Sequence, residues 1–472
     1  MTDTLQTRTP IAILITLAAA TLTASLGISV ASVLLPTLMH SFSATVSDVQ
    51  WVVLAYLMSV TITIVSAGRL GDLFGHRRVL ISGLVIFIAA SVLSAIAPNL
   101  GLLIAGRALQ GLGGAILIAL PMSMARDLVP TGRLGTAMGL LGTTSAAGTA
   151  LGPSIGGALL TWGDWRMAFW LLAGFAGVTL VLSVTAITRG SPRADASLRE
   201  LDFPGTLVLV FALTAYALAT SGGAVGIPVP ASLLMSGTLI AIALFVFVET
   251  RVASPLVPMT LLRERRIGLG LIMNLVVATA MMSTLVVGPF FLAFALGLNE
   301  ALVGLVMAAG PLVAALSGVP AGRLTDRIGV NRAMVIGLAQ TTLGLLCLAF
   351  LPRYFGVGGY VAALITLTPA FQLFFAANNT AILVEASTEQ RGRLSGLLGL
   401  SRNLGLMTGA SAMSTLFVIF LGTGDAAQAP AAEVAHAFSM TFMTAAGLAM
   451  VTLGLAIHGH ASHARKASSP AG

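Results

Sequence analysis

The sequence predicts an all-α polytopic membrane protein, and three observations point to this fold class. Of the 472 residues, 57% are hydrophobic and only 8% are charged, whereas soluble domains carry about 25% charged residues. The apolar residues form long runs, and roughly 20 such residues let a helix span a bilayer. Short charged loops separate these runs. Helices are expected because backbone polar groups in hydrocarbon must be satisfied within the segment.

Fourteen apolar segments can be counted, and each is predicted to be a spanning helix. They cover residues 11–38, 49–67, 79–97, 101–125, 134–159, 168–188, 203–220, 231–249, 267–295, 300–320, 333–351, 357–384, 394–420 and 437–457. The runs are too long and too continuously apolar for the strands of a membrane β-barrel.

The distribution of basic residues predicts the topology. With the N-terminus inside, 20 of the 24 Lys and Arg residues fall in inner loops or termini, and only Arg166 and Arg353 fall in outer loops. Such asymmetry follows the positive-inside rule. We therefore expect a multi-pass inner-membrane protein with both termini in the cytoplasm. The net charge of +8 is spread over many loops, which argues against a nucleic-acid partner.

Two charged stretches repeat at half-chain distance. The loop 68–78 recurs at 322–332, an offset of 254 residues, and Arg133 with Gly139 is echoed by Arg393 with Gly399, an offset of 260. Segments 1–6 thus correspond to segments 9–14, whereas segments 7 and 8 read as an insertion. We predict a six-helix bundle over 1–188, an inserted pair over 189–266, a second six-helix bundle over 267–457 and a cytoplasmic tail over 458–472. Paired bundles are typical of transporters.

Three motifs in order resemble the major facilitator superfamily. The loop 68–78 resembles its signature between helices 2 and 3, residues 107–114 resemble its helix-4 signature, and residues 148–157 resemble the helix-5 signature found mainly in antiporters and exporters. Fourteen segments, with Gln50-Trp51 opening the second and Trp165-Arg166 before the sixth, look like the fourteen-helix drug:proton antiporter branch. The resemblance implies the major facilitator fold.

The resemblance also implies roles for individual residues. The charged loops would act as a conformational latch between the halves, the helix-4 arginine would take part in proton coupling, and the helix-5 glycines would serve packing and gating. The latch candidates are Gly68, Arg69, Gly71, Asp72, Gly75, Arg77, Arg78, Gly322, Asp326 and Arg332. The coupling or cavity candidates are Arg107, Gln110 and Arg402, and the helix-5 candidates are Gly148, Gly152, Pro153, Gly156 and Gly157.

One departure from that branch concerns its usual helix-1 aspartate. In the stretch 26–36, Gly27 occupies the aspartate position and Ser32 the asparagine position of the branch pattern. Asp, Glu and His are also absent from the deep parts of the predicted helices. A proton carrier normally needs a titratable group inside the membrane, so standard proton antiport is in doubt.

Neutral polar and aromatic side chains inside the segments predict a lining for an uncharged, flat solute. Arg107 and Arg402 are the only charges placed well inside apolar runs. Most of the neutral residues would serve helix packing. The substrate-contact candidates are Trp51, Tyr56, Phe374, Phe375, Asn378 and Asn379.

These patterns favour a secondary transporter that exports drugs or toxic metabolites, working as a monomer in contact with lipid. Uptake of a vitamin such as riboflavin is the alternative, and the missing carboxylate favours it. An enzyme is not expected, because no nucleotide loop or nucleophile–base pair is present, and no cofactor or metal site is expected. The tail histidines His458, His460 and His463 read as a disordered end. Protons are a further candidate partner.

Substitution of Asp72 by Asn should cripple transport while leaving membrane insertion intact, because the latch loses the anion that its arginines attract. Transport in vesicles and the amount of protein in the membrane fraction would measure the two effects. The matched variant Asp326→Asn should have a smaller effect, since Thr325 replaces the second glycine in that copy. Normal transport by Asp72→Asn would rule out the latch.

Overall fold

The computed structural model describes residues 9–128, 134–187, 203–220, 231–252, 259–383, 388–423 and 425–467, and their regular structure is helical. Side chains of some helical residues, Arg69 and Asp72 among them, lie outside the described part. The long helices are α1 Thr9–Phe42, α2 Trp51–Phe74, α3 His76–Ala95, α4 Leu100–Leu128, α5 Leu134–Trp162, α6 Arg166–Ala186, α7 Phe203–Thr220, α8 Ala231–Glu249, α9 Arg265–Phe290, α10 Glu300–Ile328, α11 Val330–Leu383, α12 Thr388–Thr408 and α13 Ala431–Ala467. Two π-helical turns, Phe291–Ala295 and Gly409–Met413, extend α9 and α12, and a further helical stretch, Ser414–Leu421, follows the second.

Eleven helices within the described residues are long and apolar enough to cross a membrane, by length and composition. The helix Pro204–Thr220 is apolar but shorter. The chain is therefore an all-α, multi-pass membrane protein, as the sequence predicts. The count of fourteen spans stays a prediction, although each of the fourteen apolar segments coincides with helix in the described residues.

The 54-residue helix α11 contains the break that the sequence predicts between two segments. At 1.5 Å per residue it would extend about 80 Å, far more than the roughly 30 Å of hydrocarbon in a bilayer. Gly356 interrupts it with non-helical backbone angles, φ 52° and ψ −131°. A Cβ on Gly359 would overlap the backbone of Leu351, so the chain turns tightly here. Residues 330–355 and 357–383 are therefore two helices.

The chain divides into two compact units. The first comprises Met1–Leu256 with Leu298–Ala308, and the second comprises Val257–Gly297 with Ala309–Gly472. In the first unit, α1 packs along α5 and α6, α4 packs against α2 and α3, and α7 packs against α8. In the second unit, α9 packs along α12 and α11 along α13. The predicted domain boundaries stay predictions.

The two repeated loops share one backbone conformation. Gly75 and Gly329, which are 254 residues apart, have φ of 90° and 84°. The Gly75 amide donates to the Gly71 carbonyl at 2.9 Å, and the Gly329 amide donates to the Thr325 carbonyl at 3.0 Å. Only glycine adopts such positive φ values without strain. The turn in each copy is thus confined to the glycine. The residues directly before it form the last turns of α2 and α10.

Replacing Gly329 by Ala should lower the midpoint of thermal unfolding, because an L-residue at positive φ costs about 1–2 kcal/mol. No neighbouring atom lies within 4 Å of the added Cβ, so the loss would come from the backbone alone. Gly322→Ala is the matched control, since its Cβ also meets open space but within helix, where Ala gains about 0.5–1 kcal/mol over Gly. Equal midpoints for the two purified variants would contradict the strain argument.

Candidate functional site

A buried arginine lies at the centre of the first unit. Arg107 on α4 has no exposed surface, although an ionised side chain in mid-membrane costs at least about 2.5–3.5 kcal/mol. Its Nε donates to the Val52 carbonyl of α2 at 2.8 Å, and Nη2 donates to the Gly27 carbonyl of α1 at 2.9 Å. Nη1 donates to Oε1 of Gln110, one turn along α4. Neutral oxygens therefore solvate the guanidinium.

Gln110 extends this network to a further helix. Its Nε2 donates to Ser91 Oγ of α3 at 2.6 Å, and Ser91 Oγ donates in turn to the Phe87 carbonyl at 2.6 Å. Both Gln110 and Ser91 are fully buried. Chains of hydrogen bonds in a low-dielectric interior reinforce one another. Arg107 and Gln110 therefore join α1, α2, α3 and α4 into one hydrogen-bonded group.

Two aromatic rings occupy the space beside Gly27. The Arg107 Cζ lies 4.4 Å from the centre of the Tyr56 ring, a favourable cation–π distance, and the Tyr56 hydroxyl donates to the Ala24 carbonyl at 3.2 Å. A Cβ built on Gly27 would lie 3.0 Å from Phe87 Cζ and 3.3 Å from the Tyr56 hydroxyl. The position of the branch's aspartate is thus filled by aromatic side chains.

The glycines of the helix-4 motif let its neighbours approach closely. A Cβ on Gly114 would overlap the Tyr56 hydroxyl, and one on Gly111 would overlap the Tyr56 carbonyl oxygen. A Cβ on Gly113 would lie 2.6 Å from the Gly83 carbonyl oxygen of α3. These contacts hold α2 and α3 against α4, near the places where Arg107 contacts α2 and Gln110 contacts α3.

The helix-5 glycines form the contact between α5 and α1. A Cβ on Gly148 would lie 2.8 Å from Ser25 Cβ, and one on Gly152 would overlap Ser29 Oγ. Ser29 Oγ donates to the Gly148 carbonyl at 3.2 Å. Small residues with interhelical hydrogen bonds are the usual means of helix association in lipid. Of the remaining motif residues, Gly156 packs on Val33 of α1, and Gly157 and Pro153 pack on Gly304, which belongs to the same unit.

The latch candidates occupy different environments. Arg77 Nη2 donates to the Val184 carbonyl near the end of α6 at 2.9 Å, whereas Arg78, Asp326 and Arg332 are exposed. Gly68, Gly71 and Gly322 lie inside helices. The side chains of Arg69 and Asp72 lie outside the described residues, and Asp72 itself falls in the last turn of α2 rather than at the start of α3. The latch role stays a prediction.

The second unit brings together two of its predicted site residues. Arg402 on α12 places its Cζ 5.1 Å from the centre of the Phe375 ring on α11. Arg402 is exposed and Phe375 is 8% exposed. The Phe374 ring lies 5.6 Å from the Phe375 ring, but Phe374 is fully buried and Gly337 packs directly on its backbone. The adjacent phenylalanines therefore have different surroundings.

Asn378 and Asn379 also differ. Asn378 is fully buried and its Nδ2 donates to the Gly270 carbonyl of α9 at 3.2 Å, whereas Asn379 is exposed. The Asn378 Oδ1 has no hydrogen-bond donor among the described residues. In the first unit, Trp51 is buried and its Nε1 likewise has no acceptor among them. Substrate contact at these residues stays a prediction.

Sequence reasoning missed the residues that accompany the arginines. Ser91 and Phe87 of α3 carried no motif, and the partners of Arg107 on α1 and α2 are backbone carbonyls, which every residue has. Tyr56 follows Val52 by one helical turn, and this spacing was the available signal for its place beside Arg107. No group of three or more His, Cys, Asp and Glu side chains suited to a metal ion occurs among the described residues.

Replacement of Arg107 by Ala should abolish transport, because the carbonyls of Val52 and Gly27 and the Gln110 amide lose their shared donor. Arg107→Lys should retain only a small part of the rate, since a single ammonium cannot reproduce the planar fork. Solute flux into proteoliposomes would be measured against Arg353→Ala, an exposed arginine. Full, normally coupled transport by Arg107→Ala would show that the residue serves stability alone.

The amino-acid sequence is similar to those of several named proteins over most of its length. The chain is 29% identical over 409 residues to "Uncharacterized transporter YebQ" of Escherichia coli strain K12, covering 86% of this chain and 89% of the relative. It is 25% identical over 430 residues to "Riboflavin transporter RibZ" of Clostridioides difficile strain 630, covering 91% and 93%. It is 26% identical over 403 residues to "Multidrug resistance protein Stp" of Mycobacterium tuberculosis strain H37Rv, covering 83% and 73%.

The fold and the family are shown independently of these names. The structure of "peptide transporter POT in complex with sulfate" superposes with a TM-score of 0.71 at 15% identity, covering 94% of each chain. The family model of the Major Facilitator Superfamily matches residues 17–274 and 269–471, which is most of the chain. The chain therefore belongs to the Major Facilitator Superfamily and is a multi-pass membrane transporter protein of that family.

Proposed function

We propose that the protein moves a small amphipathic or aromatic organic solute across the inner membrane by alternating access, and that it exports drugs or toxic metabolites. The observation that carries the export direction is the helix-5 glycine array. Gly148, Gly152 and Gly156 pack directly on α1, and the stretch 148–157 resembles a signature found mainly in exporters. The relative named as a multidrug resistance protein supports the same direction.

A second candidate is uptake of a vitamin such as riboflavin. Gly27 stands where the drug:proton antiporter branch has an aspartate, and Phe87 and Tyr56 fill the space beside it. The relative named as a riboflavin transporter aligns with 91% of this chain. No carboxylate of the described residues lies beside Arg107, whereas proton antiport usually requires a titratable group inside the membrane. This observation favours movement of the solute without antiport.

The proposed membrane topology, oligomeric state and partners follow from the charges, the repeat and the family. Both termini would be cytoplasmic, because 20 basic residues then lie inside against two outside. One chain contains both halves of the repeat, so a monomer would suffice for transport. Solute, lipid and, for antiport, protons would be its partners. The protein would act as a transporter and not as an enzyme, since the family and the named relatives are transporters.

Everted membrane vesicles with an acidic lumen test direction and coupling together. The pH gradient would be followed while a cationic dye and riboflavin are added in turn. Collapse of the gradient that depends on this protein is the expected result for export by proton antiport. An unchanged gradient with equilibration of labelled riboflavin would instead establish the uptake candidate.

Vesicles carrying the Arg107→Ala protein at the same level provide the control for leakage. A dye effect that persists in these vesicles would come from the membrane and not from the transporter. Failure of the wild-type protein to move the cationic dye, riboflavin or an anionic aromatic dye, at verified expression, would contradict the proposed function.

A further inference from the structure

One spanning helix of each unit carries an arginine that no described carboxylate accompanies. Arg107 in the first unit and Arg402 in the second both lie within spanning helices, and neither forms an ion pair with a described residue. The described carboxylates lie at or near helix ends, as Asp48, Glu249, Glu300 and Asp326 do. A charge inside a membrane requires a partner or water. The two arginines meet this requirement differently.

Arg107 finds its hydrogen-bond partners inside the protein. Three of its nitrogens donate to oxygens of Val52, Gly27 and Gln110, its face lies on Tyr56, and no part of the side chain is exposed. A solute cannot touch this guanidinium in the conformation that the structure shows. Arg107 is therefore a fixed charge that holds helices together.

Arg402 is accessible and makes no hydrogen bond with a described residue. The helix that carries it is nevertheless well fixed, because α12 is hydrogen-bonded to α9 in the turn that precedes the arginine. The preceding Ser401 donates to the Leu271 carbonyl at 2.5 Å, and Asn274 Nδ2 donates to the Leu398 carbonyl at 3.0 Å. The arginine thus projects from a rigid helix with its N–H groups available for a ligand.

Phe375 gives the Arg402 guanidinium an apolar neighbour. Its ring centre lies 5.1 Å from the Arg402 Cζ, and the ring is itself nearly buried beside Phe374. A guanidinium beside an aromatic ring still has N–H groups along its edge that can donate hydrogen bonds. Two of these groups can donate together to two oxygens of a carboxylate, sulfonate or phosphate. An apolar ring next to those oxygens matches an aromatic solute that bears an acidic group.

We propose that Arg402 and Phe375 form a subsite for the acidic group of an aromatic anion, which is the solute carried by this protein. This inference rests on the proposed transport function and narrows its substrate class from amphipathic or aromatic solutes in general to aromatic anions. The solute then supplies the negative charge that Arg402 does not find among the described residues. Lipid phosphate offers the same chemistry, and the experiment separates the two sources.

Binding of two xanthene dyes of nearly the same shape tests the charge preference directly. Fluorescein is an anion at mildly alkaline pH, and rhodamine 123 is a cation. Fluorescence anisotropy would be measured with the purified protein in phosphatidylcholine nanodiscs. We expect the wild-type protein to bind fluorescein at least about tenfold more tightly than rhodamine 123. Arg402→Gln should lose that preference, because it removes the charge while keeping a polar side chain.

Three further variants separate charge from folding. Arg402→Lys should retain part of the affinity for fluorescein, since it keeps the charge without the fork. Phe375→Leu should weaken fluorescein binding less than Arg402→Gln does, because it removes the ring but not the charge. Arg353→Gln, at an exposed arginine of the same unit, should bind both dyes as the wild-type protein does.

Equal affinities for the two dyes, or no saturable binding of fluorescein, would overturn the proposal. Displacement of fluorescein when phosphatidylglycerol is added to the nanodiscs would identify lipid phosphate as the occupant and would overturn it as well. Transport of rhodamine 123 that is unaffected by Arg402→Gln would refute the anion subsite while leaving the transport function standing. Anion binding that depends on Arg402, without flux of any solute in proteoliposomes, would instead refute the transport function.

Discussion

Helices in a bilayer gain little from burying apolar side chains against one another, because lipid tails are as apolar as leucine. The packing of this chain therefore depends on small residues and on hydroxyl groups that reach neighbouring helices. Ser25 Oγ lies 2.9 Å from Ser145 Oγ, where α1 meets α5. Thr279, 254 residues after Ser25, donates to the carbonyl of Gly405, 260 residues after Ser145, at 3.1 Å. Both units thus use one contact, repeated at the offsets seen in the sequence.

The buried arginine adds a second level of organisation to the first unit. Its hydrogen bonds end on backbone carbonyls and on an amide, so no proton has to enter or leave the group for it to remain satisfied. In a medium of low dielectric constant, such complete satisfaction makes a polar network rigid. The four helices around Arg107 are therefore suited to moving as one body.

The sequence was sufficient for the helices and for the turn at the repeated loops, because composition and glycine placement determine both. Gly75 and Gly329 were identifiable by their common spacing. The sequence was also sufficient to single out Arg107 and Arg402 as charges in apolar runs. It could not supply the partners of Arg107, since carbonyl oxygens are common to all residues. Nor could it separate Phe374 from Phe375, because a continuously apolar run has no periodicity that indicates a buried face.

The crowding around Gly27 limits how this protein can evolve. A single nucleotide change converts a glycine codon into an aspartate or a glutamate codon, so a helix-1 carboxylate is one mutation away. Phe87 Cζ already lies 3.0 Å from where the first side-chain carbon would stand, and a carboxyl group needs more room still. An acid at this position therefore requires the Phe87 ring to move aside or to become smaller. Acquisition of a helix-1 carboxylate by descendants of this chain is thus coupled to repacking at Phe87.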